Sequence, residues 1–526
     1  MVAAVAGTPR KASAVRDDAQ ASHLSPAQRL AAGCSADTLF IEAGPGTGKT
    51  TVAAHRFGVV RFSPDVRRDP RPVVAVSFTR AATWNLRRRI RRFYGPSATA
   101  WPHRVVTLDT VMCDLLHHLL TAGHVHWPGA LQTLRVEDSW SILGETFHSR
   151  QSYTLSLTPA KGRLAVAFRV NFEPEAKQRP DVTAVKEQLR QGICTHEDVR
   201  RLVAAALEVP PLRDVLRLRL SGVMRSLIVD ECFDANGLDV DVIALAAEAD
   251  VALTLVGDPW QALYQFRGAK PDLVRELISA RGFRTLALSQ SFRWRSQEQE
   301  ALATGLRDGR PIVLPHIPAD ALAAQNVDVV LATEWKPLWE LGQMVLPLAF
   351  GGFKGTAPEA AATILLNHVS RSVLRETATY VGDALTALAM TPEDPRELEG
   401  ELARVLDLLK QPGRPAAAHA WGELVGILAA FSPRYIKPAH WRYTDRLQLV
   451  AQRLVHLERP VAGLTTHQAK GREWDVVGLR LTEAQLAHFA AGLRQDDDTC
   501  RKLYVAATRA RTRTVVLDPP PGMAVK

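Results

Sequence analysis

Short apolar runs separated by stretches of helical spacing recur along the 526-residue chain. Val73–Phe78, Val105–Leu108, Leu227–Glu231, Val251–Gly257, Thr285–Ser289, Thr363–Leu366, Val461–Thr466, Val476–Leu481 and Thr514–Leu517 read as strands. Most are continuously apolar, the pattern of strands buried on both faces. Strands alternating with helices predict an α/β fold with parallel sheets and crossover helices. The strands fall into two sets, one around a glycine-rich loop and one beginning near Thr285. Between Leu116 and Arg225, and between Leu374 and Glu458, the periodicity is mostly helical, so both stretches read as insertions. Turn signals at Pro392, Pro395 and Gly413 fall in the second.

The chemistry enters with Thr38–Thr51, a strand that breaks into Ala43-Gly44-Pro45-Gly46-Thr47-Gly48 and re-enters a helix at Lys49-Thr50-Thr51. Glycines let backbone N–H groups turn inward onto phosphate oxygens, and the helix that follows points its positive end at them. Lys49 would neutralise the β and γ phosphates, and the Thr50 hydroxyl would ligate Mg²⁺. Ala43 stands where the strict pattern has its first glycine, a small-for-small exchange. The pattern predicts a nucleoside triphosphate with Mg²⁺, bound by Gly44, Gly46, Thr47, Gly48, Lys49, Thr50 and Thr51; the resemblance named below makes it ATP. A second strand, Ser226–Asp230, ends in Asp230-Glu231. Asp230 is placed to hold Mg²⁺ and Glu231 to orient or deprotonate the attacking water. Downstream of such a loop, that pair points to hydrolysis.

Composition changes this picture little. Apolar residues make up 46% of the chain and mean hydropathy is -0.07, as in ordinary globular proteins. No apolar run reaches membrane-spanning length, so no membrane contact is expected. The Ala/Ser/Arg-rich start, with Asp17 and Asp18, reads as neither a signal nor a transit peptide. Five cysteines (Cys34, Cys113, Cys194, Cys232, Cys500) are scattered without metal-ligand spacing, which fits a reducing cytosol and argues against zinc or an iron–sulfur cluster. The net charge of +10 and pI near 9.5 suit a polyanionic partner. A GC-rich genome would produce the same arginine bias, so charge alone does not choose.

Further segments follow in order: Leu24–Gln28, Val76–Ile90, Val106–Thr110, Gly257–Ala269, Leu288–Arg293, Thr465–Trp474 and Arg501–Ala510. Together with the glycine loop and the Asp-Glu strand they resemble the UvrD/Rep family of superfamily 1 DNA helicases, from Leu24 to about Leu517 apart from the insertions. The resemblance implies two RecA-like parallel-sheet domains, each with a largely helical insertion. The expected division is a flexible tail (1–22), a first domain (23–115 and 222–282) with its insertion (116–221), and a second domain (283–374 and 456–526) with a short accessory insertion (375–455). Gln28 would read the adenine edge, Phe292 would lie on its face, and Glu473 would accept from the ribose. Gln261 would sense the γ-phosphate, and Arg293 and Arg509 would reach it from the second lobe. Thr79, Arg80, Thr107, Tyr264, Phe266, Arg267, Thr465 and His467 would contact single-stranded DNA. Tyr264 and Phe266, two positions apart, are expected on one face, where both rings could stack on bases.

Three positions depart from the family pattern. Phe233 stands where the family has a glutamine that links the γ-phosphate to the DNA-contact elements, Asp109 stands for a histidine, and Arg80 for an asparagine. The resemblance implies an ATP-dependent DNA helicase in the bacterial cytosol or nucleoid. It would move 3′ to 5′ on single strands and at single-strand/duplex junctions, in repair or DNA processing. The alternative is a DNA- and nucleotide-sensing ATPase subunit regulating a partner nuclease in phage defence. An RNA helicase fits the motifs less well.

Overall fold

The computed structural model describes residues 24–518 apart from 64–68, 138–146, 149–150, 161–162, 173–178, 181, 392, 412, 439 and 456–459. The expected tail, the turn signal at Pro392 and the side chains of Phe266 and Arg267 lie outside the described residues.

From the amino end, α1 (Pro26–Gly33), α2 (Lys49–Phe62) and α3 (Arg80–Tyr94) alternate with β1 (Thr38–Ala43), β2 (Val73–Ser77) and β3 (Arg104–Thr107). After α4 (Leu108–Thr121) comes an insertion holding an antiparallel ribbon, β4 (Gln151–Ala160) paired with β5 (Arg163–Phe172), and the helices α5 (His196–Leu207) and α6 (Pro210–Val223). The chain returns as β6 (Ser226–Asp230), α7 (Gly237–Glu248), β7 (Ala252–Gly257), α8 (Pro271–Ala280) and β8 (Arg284–Leu288). The six core strands are parallel, in the order β8-β1-β7-β6-β2-β3. Every position of β2 and β6 is buried, because both faces of the sheet are covered. Successive β1 residues serve opposite cores: Leu39 and Ile41 pack with α2 and α3, and Phe40 packs with α4 and the insertion.

The second sheet follows α9 (Gln297–Arg307). It comprises β9 (His316–Ile317), β10 (Val329–Ala332), β11 (Val345–Pro347), β12 (Val461–Thr465), β13 (Trp474–Leu479) and β14 (Ala510–Leu517), parallel in the order β9-β14-β13-β10-β12-β11. Between β11 and β12 stands a helical bundle that includes α10 (Ala357–Leu374), α11 (Glu399–Leu409), α12 (Arg414–Leu428) and α13 (Trp441–Leu454), with a core of its own. After β13 come α14 (Glu483–Ala491) and α15 (Asp498–Ala507). The chain is therefore α/β, with two RecA-like parallel sheets and a largely helical insertion in each.

Two expectations are corrected and a third is filled in. Thr363–Leu366 lies inside α10, whose Pro358 start and alanine-rich sequence favour a helix; a short apolar run alone cannot tell a buried helix from a strand. The strand near Thr285 does not begin the second set: α8 is a crossover that returns β8 to the first sheet beside β1. Beside its helices the first insertion also carries a β-ribbon, which adds to the expectation of a largely helical insertion. Its ribbon pairs residues from Gln151↔Phe172 to Ala160↔Arg163, and its signal was the two-residue alternation of Ser152, Thr154, Ser156 and Thr158 with Tyr153, Leu155 and Leu157.

Candidate nucleotide site and nucleic-acid groove

The glycine loop joins β1 to α2 at the carboxyl end of the first sheet, where open α/β sheets hold ligands. Gly46 (φ 73°) and Gly48 (φ 83°) take left-handed conformations. Gly48 is the N-cap of α2 and supplies no side-chain cap, which leaves the helix N–H groups free for an anion. A Cβ at Gly46 would come within 2.5 Å of both Arg293 Cβ and Ser291 Oγ. The segment after β8 lies directly on the loop: Phe292 N–H donates to Gly46 O (2.9 Å) and Ser291 Oγ to Pro45 O (2.8 Å). The Phe292 ring itself is exposed.

Lys49 is buried, with Nζ donating to Ala43 O at 3.2 Å, and Thr47 Oγ1 donates to Gly44 O at 2.9 Å. Burial lowers the Lys49 pKa against the pull of Glu231 and Asp258. The Thr50 hydroxyl hydrogen-bonds Asp230, so the two expected Mg²⁺ ligands meet. Burial, with Glu231 alongside, pushes Asp230 up to about 7. A buried oxygen-donor pair short of positive charge fits a hard divalent cation. Glu231 adopts a left-handed backbone (φ 57°, ψ 44°), uncommon for a residue with a side chain. Burial acts to raise its pKa, but Lys470, Lys49 and Arg509 outweigh it and hold the carboxylate below its ordinary value.

Opposite these groups stand the arginines. Arg293 Nε donates to Glu473 Oε2 (3.0 Å) and its NH1 to Thr508 O (2.6 Å). Arg509 is buried, and Arg293 lies close by; burial first, then that like charge, pushes its pKa down to about 9. Its NH2 lies 3.5 Å from Gln261 Oε1, and Gln261 Nε2 donates to Asp258 Oδ2 at 2.7 Å. Two buried guanidinium groups facing a lysine and a glycine loop form a receptor for phosphate oxygens.

Gln28 is buried and couples the Leu24–Gln28 segment to the loop. Its Oε1 accepts from Ser25 N–H (2.9 Å) and its Nε2 donates to Thr47 O (2.9 Å). Glu473, expected at the ribose, is engaged by Arg293 and by Arg511 (2.9 Å). The Thr51 hydroxyl accepts from Arg89 at 3.0 Å. Arg89 was missed by the sequence reading, as were Lys470 and Arg307. Lys470 Nζ lies 2.8 and 2.7 Å from the Asp234 oxygens, 3.7 Å from Glu231 and 5.1 Å from the Tyr264 ring centre. Its signal was a lysine inside the Thr465–Trp474 segment with no role given to it.

Around Tyr264 opens a groove of about 1060 Å³, lined by Thr79 and Tyr264 from the first lobe, Trp335, Thr465 and His467 from the second, and Arg446 from the bundle. His467 Nε2 lies 3.1 Å from Leu263 O. Four of the expected strand contacts (Thr79, Tyr264, Thr465, His467) thus meet in one groove. Arg80 and Thr107 do not line it; they face a neighbouring hollow with Trp84 and Arg87. The Thr79 and Thr107 hydroxyls also cap helices, accepting from Ala82 N–H (3.1 Å) and Thr110 N–H (3.4 Å). Tyr264, Phe266 and Arg267 lie in a 3₁₀ turn. The expected stacking face shared by Tyr264 and Phe266 falls on the Phe266 side chain, which lies outside the described residues. Asp109 pairs with Arg200 of α5 (2.7 Å), and Phe233 is buried edge-on to Phe40 (centroids 5.9 Å apart), turned into the core. One group of three potential metal donors gathers among the described residues: His488, Asp497 and Cys500. They are bonded to one another, with Cys500 N–H on Asp497 (2.9 Å) and the thiol 3.4 Å from His488 Nδ1.

Comparison with known proteins agrees with this geometry. Residues 24–280 match the UvrD/REP helicase N-terminal domain family. DNA helicase II of Escherichia coli is 26% identical over 292 residues, 51% of this chain and 38% of that protein. ATP-dependent DNA helicase Rep of Buchnera aphidicola is 20% identical over 250 residues, 44% of this chain and 37% of that protein. The RecBCD enzyme subunit RecB of Mycolicibacterium smegmatis is 30% identical over 165 residues, 30% of this chain and 14% of that protein. The alignments therefore span well under half the length of these relatives. With the glycine loop, the Asp-Glu strand and the paired arginines gathered at one cleft, this chain is similar over residues 24–280 to the UvrD/REP helicase N-terminal domain family.

Proposed function

We propose that this chain is an ATP-dependent DNA helicase that moves along single-stranded DNA in the 3′ to 5′ sense and opens duplex at junctions, in DNA repair or processing in the bacterial cytosol. The observation that carries the reading is Lys470. From the second lobe, one ammonium group pairs with Asp234, lies beside the catalytic carboxylate Glu231, and sits against the groove ring of Tyr264. Chemistry and strand contact thereby share a side chain, although Phe233 offers no such link. Among the described residues, no helix is long and apolar enough to cross a membrane.

In this reading Gly44–Thr51 wraps the phosphates, Lys49 neutralises the γ-phosphate, and Glu231 holds the attacking water. Asp230 and Thr50 would hold Mg²⁺, which would supply charge neutralisation to the phosphates. Arg293 and Arg509 stabilise charge on the transferring group, and Gln261 registers its loss. The segment after β7 belongs to both lobes: it starts on the first sheet, yet Trp260 and Leu263 are buried in the second core. Closure of the cleft therefore moves Gln261 and Tyr264 together.

The test is ATP hydrolysis with and without single-stranded DNA, with Glu231→Gln as the blank, followed by strand displacement from 3′-tailed and 5′-tailed duplexes. Strong stimulation and opening of the 3′-tailed substrate support the reading; stimulation without displacement limits it to translocation. A rate indifferent to DNA favours the second reading, a sensing ATPase subunit beside a nuclease. That reading has one observation in its favour, similarity to a protein named as an enzyme subunit.

A further inference from the structure

Arg307, the last residue of α9, belongs to none of the segments that carry the family resemblance. Its helix packs on β14 and α15 in the second lobe, yet its guanidinium grips two carboxylates of the first. NH2 lies 2.8 Å from Glu42 Oε1, the residue just before Ala43 and the glycine loop. NH1 lies 3.0 Å from Asp258 Oδ1 and 3.5 Å from the Tyr504 hydroxyl. The Asp258 side chain is fully buried, and its other oxygen accepts from Gln261 Nε2 at 2.7 Å. Gln261 in turn meets Arg509. A continuous run of polar contacts thus passes from Arg307 through Asp258 and Gln261 to the arginine facing the γ-phosphate position.

Two features set this apart from an exposed ion pair. Losing one partner of a buried pair leaves an uncompensated charge, so Asp258 keeps its environment only while Arg307 stays in place. A planar guanidinium holds two carboxylates in a fixed fork geometry, which the compact, freely rotating ammonium of a lysine does not impose. Arg307 also runs close to the glycine loop, since a Cβ at Gly44 would stand 3.6 Å from its NH1. Both of its ends are nevertheless committed to carboxylates, which makes it a support for the phosphate-binding groups.

We propose that Arg307 is a positioning residue for hydrolysis: it straps Asp258 and Glu42 to the second lobe, fixing the Gln261 amide beside Arg509 and holding the cleft closed. The role in hydrolysis rests on the ATPase reading above; the strap itself does not.

The experiment compares the full chain with Arg307→Met, Arg307→Lys and Glu42→Gln, after melting curves. It measures ATP hydrolysis with saturating oligo-dT and hydrogen exchange of peptides spanning 253–265 and 38–47. In Arg307→Met, kcat is expected to fall about tenfold or more, as for a misplaced catalytic group. KM for ATP stays within about threefold, and exchange at 258–263 accelerates. Arg307→Lys recovers part of the rate, and Glu42→Gln loses less than Arg307→Met. Unchanged kcat overturns the positioning role, and so does a loss confined to KM, which would make Arg307 a ligand of ATP. A Glu42→Gln defect as large as that of Arg307→Met overturns the path through Asp258. If the parent chain hydrolyses no ATP, the ATPase reading fails and exchange decides the strap: acceleration supports it and no change overturns it. If Arg307→Met does not fold, Arg307→Lys and Glu42→Gln carry the same comparisons.

Discussion

The nucleotide cleft and the strand groove adjoin at Lys470, which lies beside both Glu231 and Tyr264, yet they differ electrostatically. In the cleft, burial drives Lys49, Arg293 and Arg509 down and Asp230 up, each toward its neutral form. The groove is lined mainly by hydroxyls and rings, and its Thr79 hydroxyl already caps α3. The cleft concentrates buried charge, whereas the groove presents mostly neutral hydroxyls and rings with a few charged side chains such as Arg446 and Lys502. Loss of one cleft residue should therefore remove most of the activity, and loss of one groove residue should only weaken affinity. A graded series of variants tests that contrast.

The largest effect is expected at Lys49. Lys49→Ala removes the cation nearest the γ-phosphate position, so hydrolysis should drop to the level of the Glu231→Gln blank, on the order of 10²–10³-fold or more. Normal turnover would remove the phosphate-loop assignment, and the cleft would no longer be the charged partner in the comparison. Arg509→Ala follows. An arginine acting on the transferring phosphoryl group is worth roughly 10³-fold or more in kcat, while equilibrium binding of ATP should persist. Lost binding with residual turnover intact would move Arg509 from the transition state to the ground state.

Lys470→Ala tests the place where the two regions meet. Its ammonium is the counter-charge of Asp234 and a neighbour of both Glu231 and Tyr264. The ratio of DNA-stimulated to basal hydrolysis should fall by about tenfold, within the usual range of coupling between two sites. Loss of basal rate with the ratio preserved would confine Lys470 to the cleft.

The legibility of the two regions follows the same divide. Phosphate chemistry demands fixed residue types at fixed spacing, so Gly46, Lys49, Asp230 and Arg509 could be read from their segments, and the structure brings them together. Strand contact asks only for hydroxyls, rings and cations on a suitable surface. Thr465 and Tyr264 accordingly reach the groove, whereas Arg80 and Thr107 face the hollow beside it. In the fold, β2 and β6 were plain because burial on both faces makes a strand uniformly apolar. The edge strand β8 was placed in the wrong sheet, since its apolar pattern says nothing about which neighbour it pairs with. Arg307 and Lys470 carry no local signal because their partners lie 49 to 265 and 236 residues away in sequence, and only the assembled cleft brings each cation to its carboxylates.

The smallest expected effect belongs to Tyr264. Its ring lies in the groove with His467 on one side (centroids 6.2 Å apart) and the Lys470 ammonium 5.1 Å from its centre. A ring so placed can stack on a base of any identity, worth roughly 1–3 kcal/mol. Tyr264→Ala should therefore raise the DNA concentration for half-maximal ATPase by about fivefold, the lower end of that range, with maximal rate and ATP KM little changed. Tyr264→Phe keeps the stacking face and should restore affinity, because the hydroxyl is not needed for stacking. Equal weakening in both variants would shift the role to the hydroxyl. If Tyr264→Ala instead lowers the maximal rate with DNA affinity unchanged, the ring serves Lys470 and the cleft, and the boundary between the two regions moves one residue into the groove.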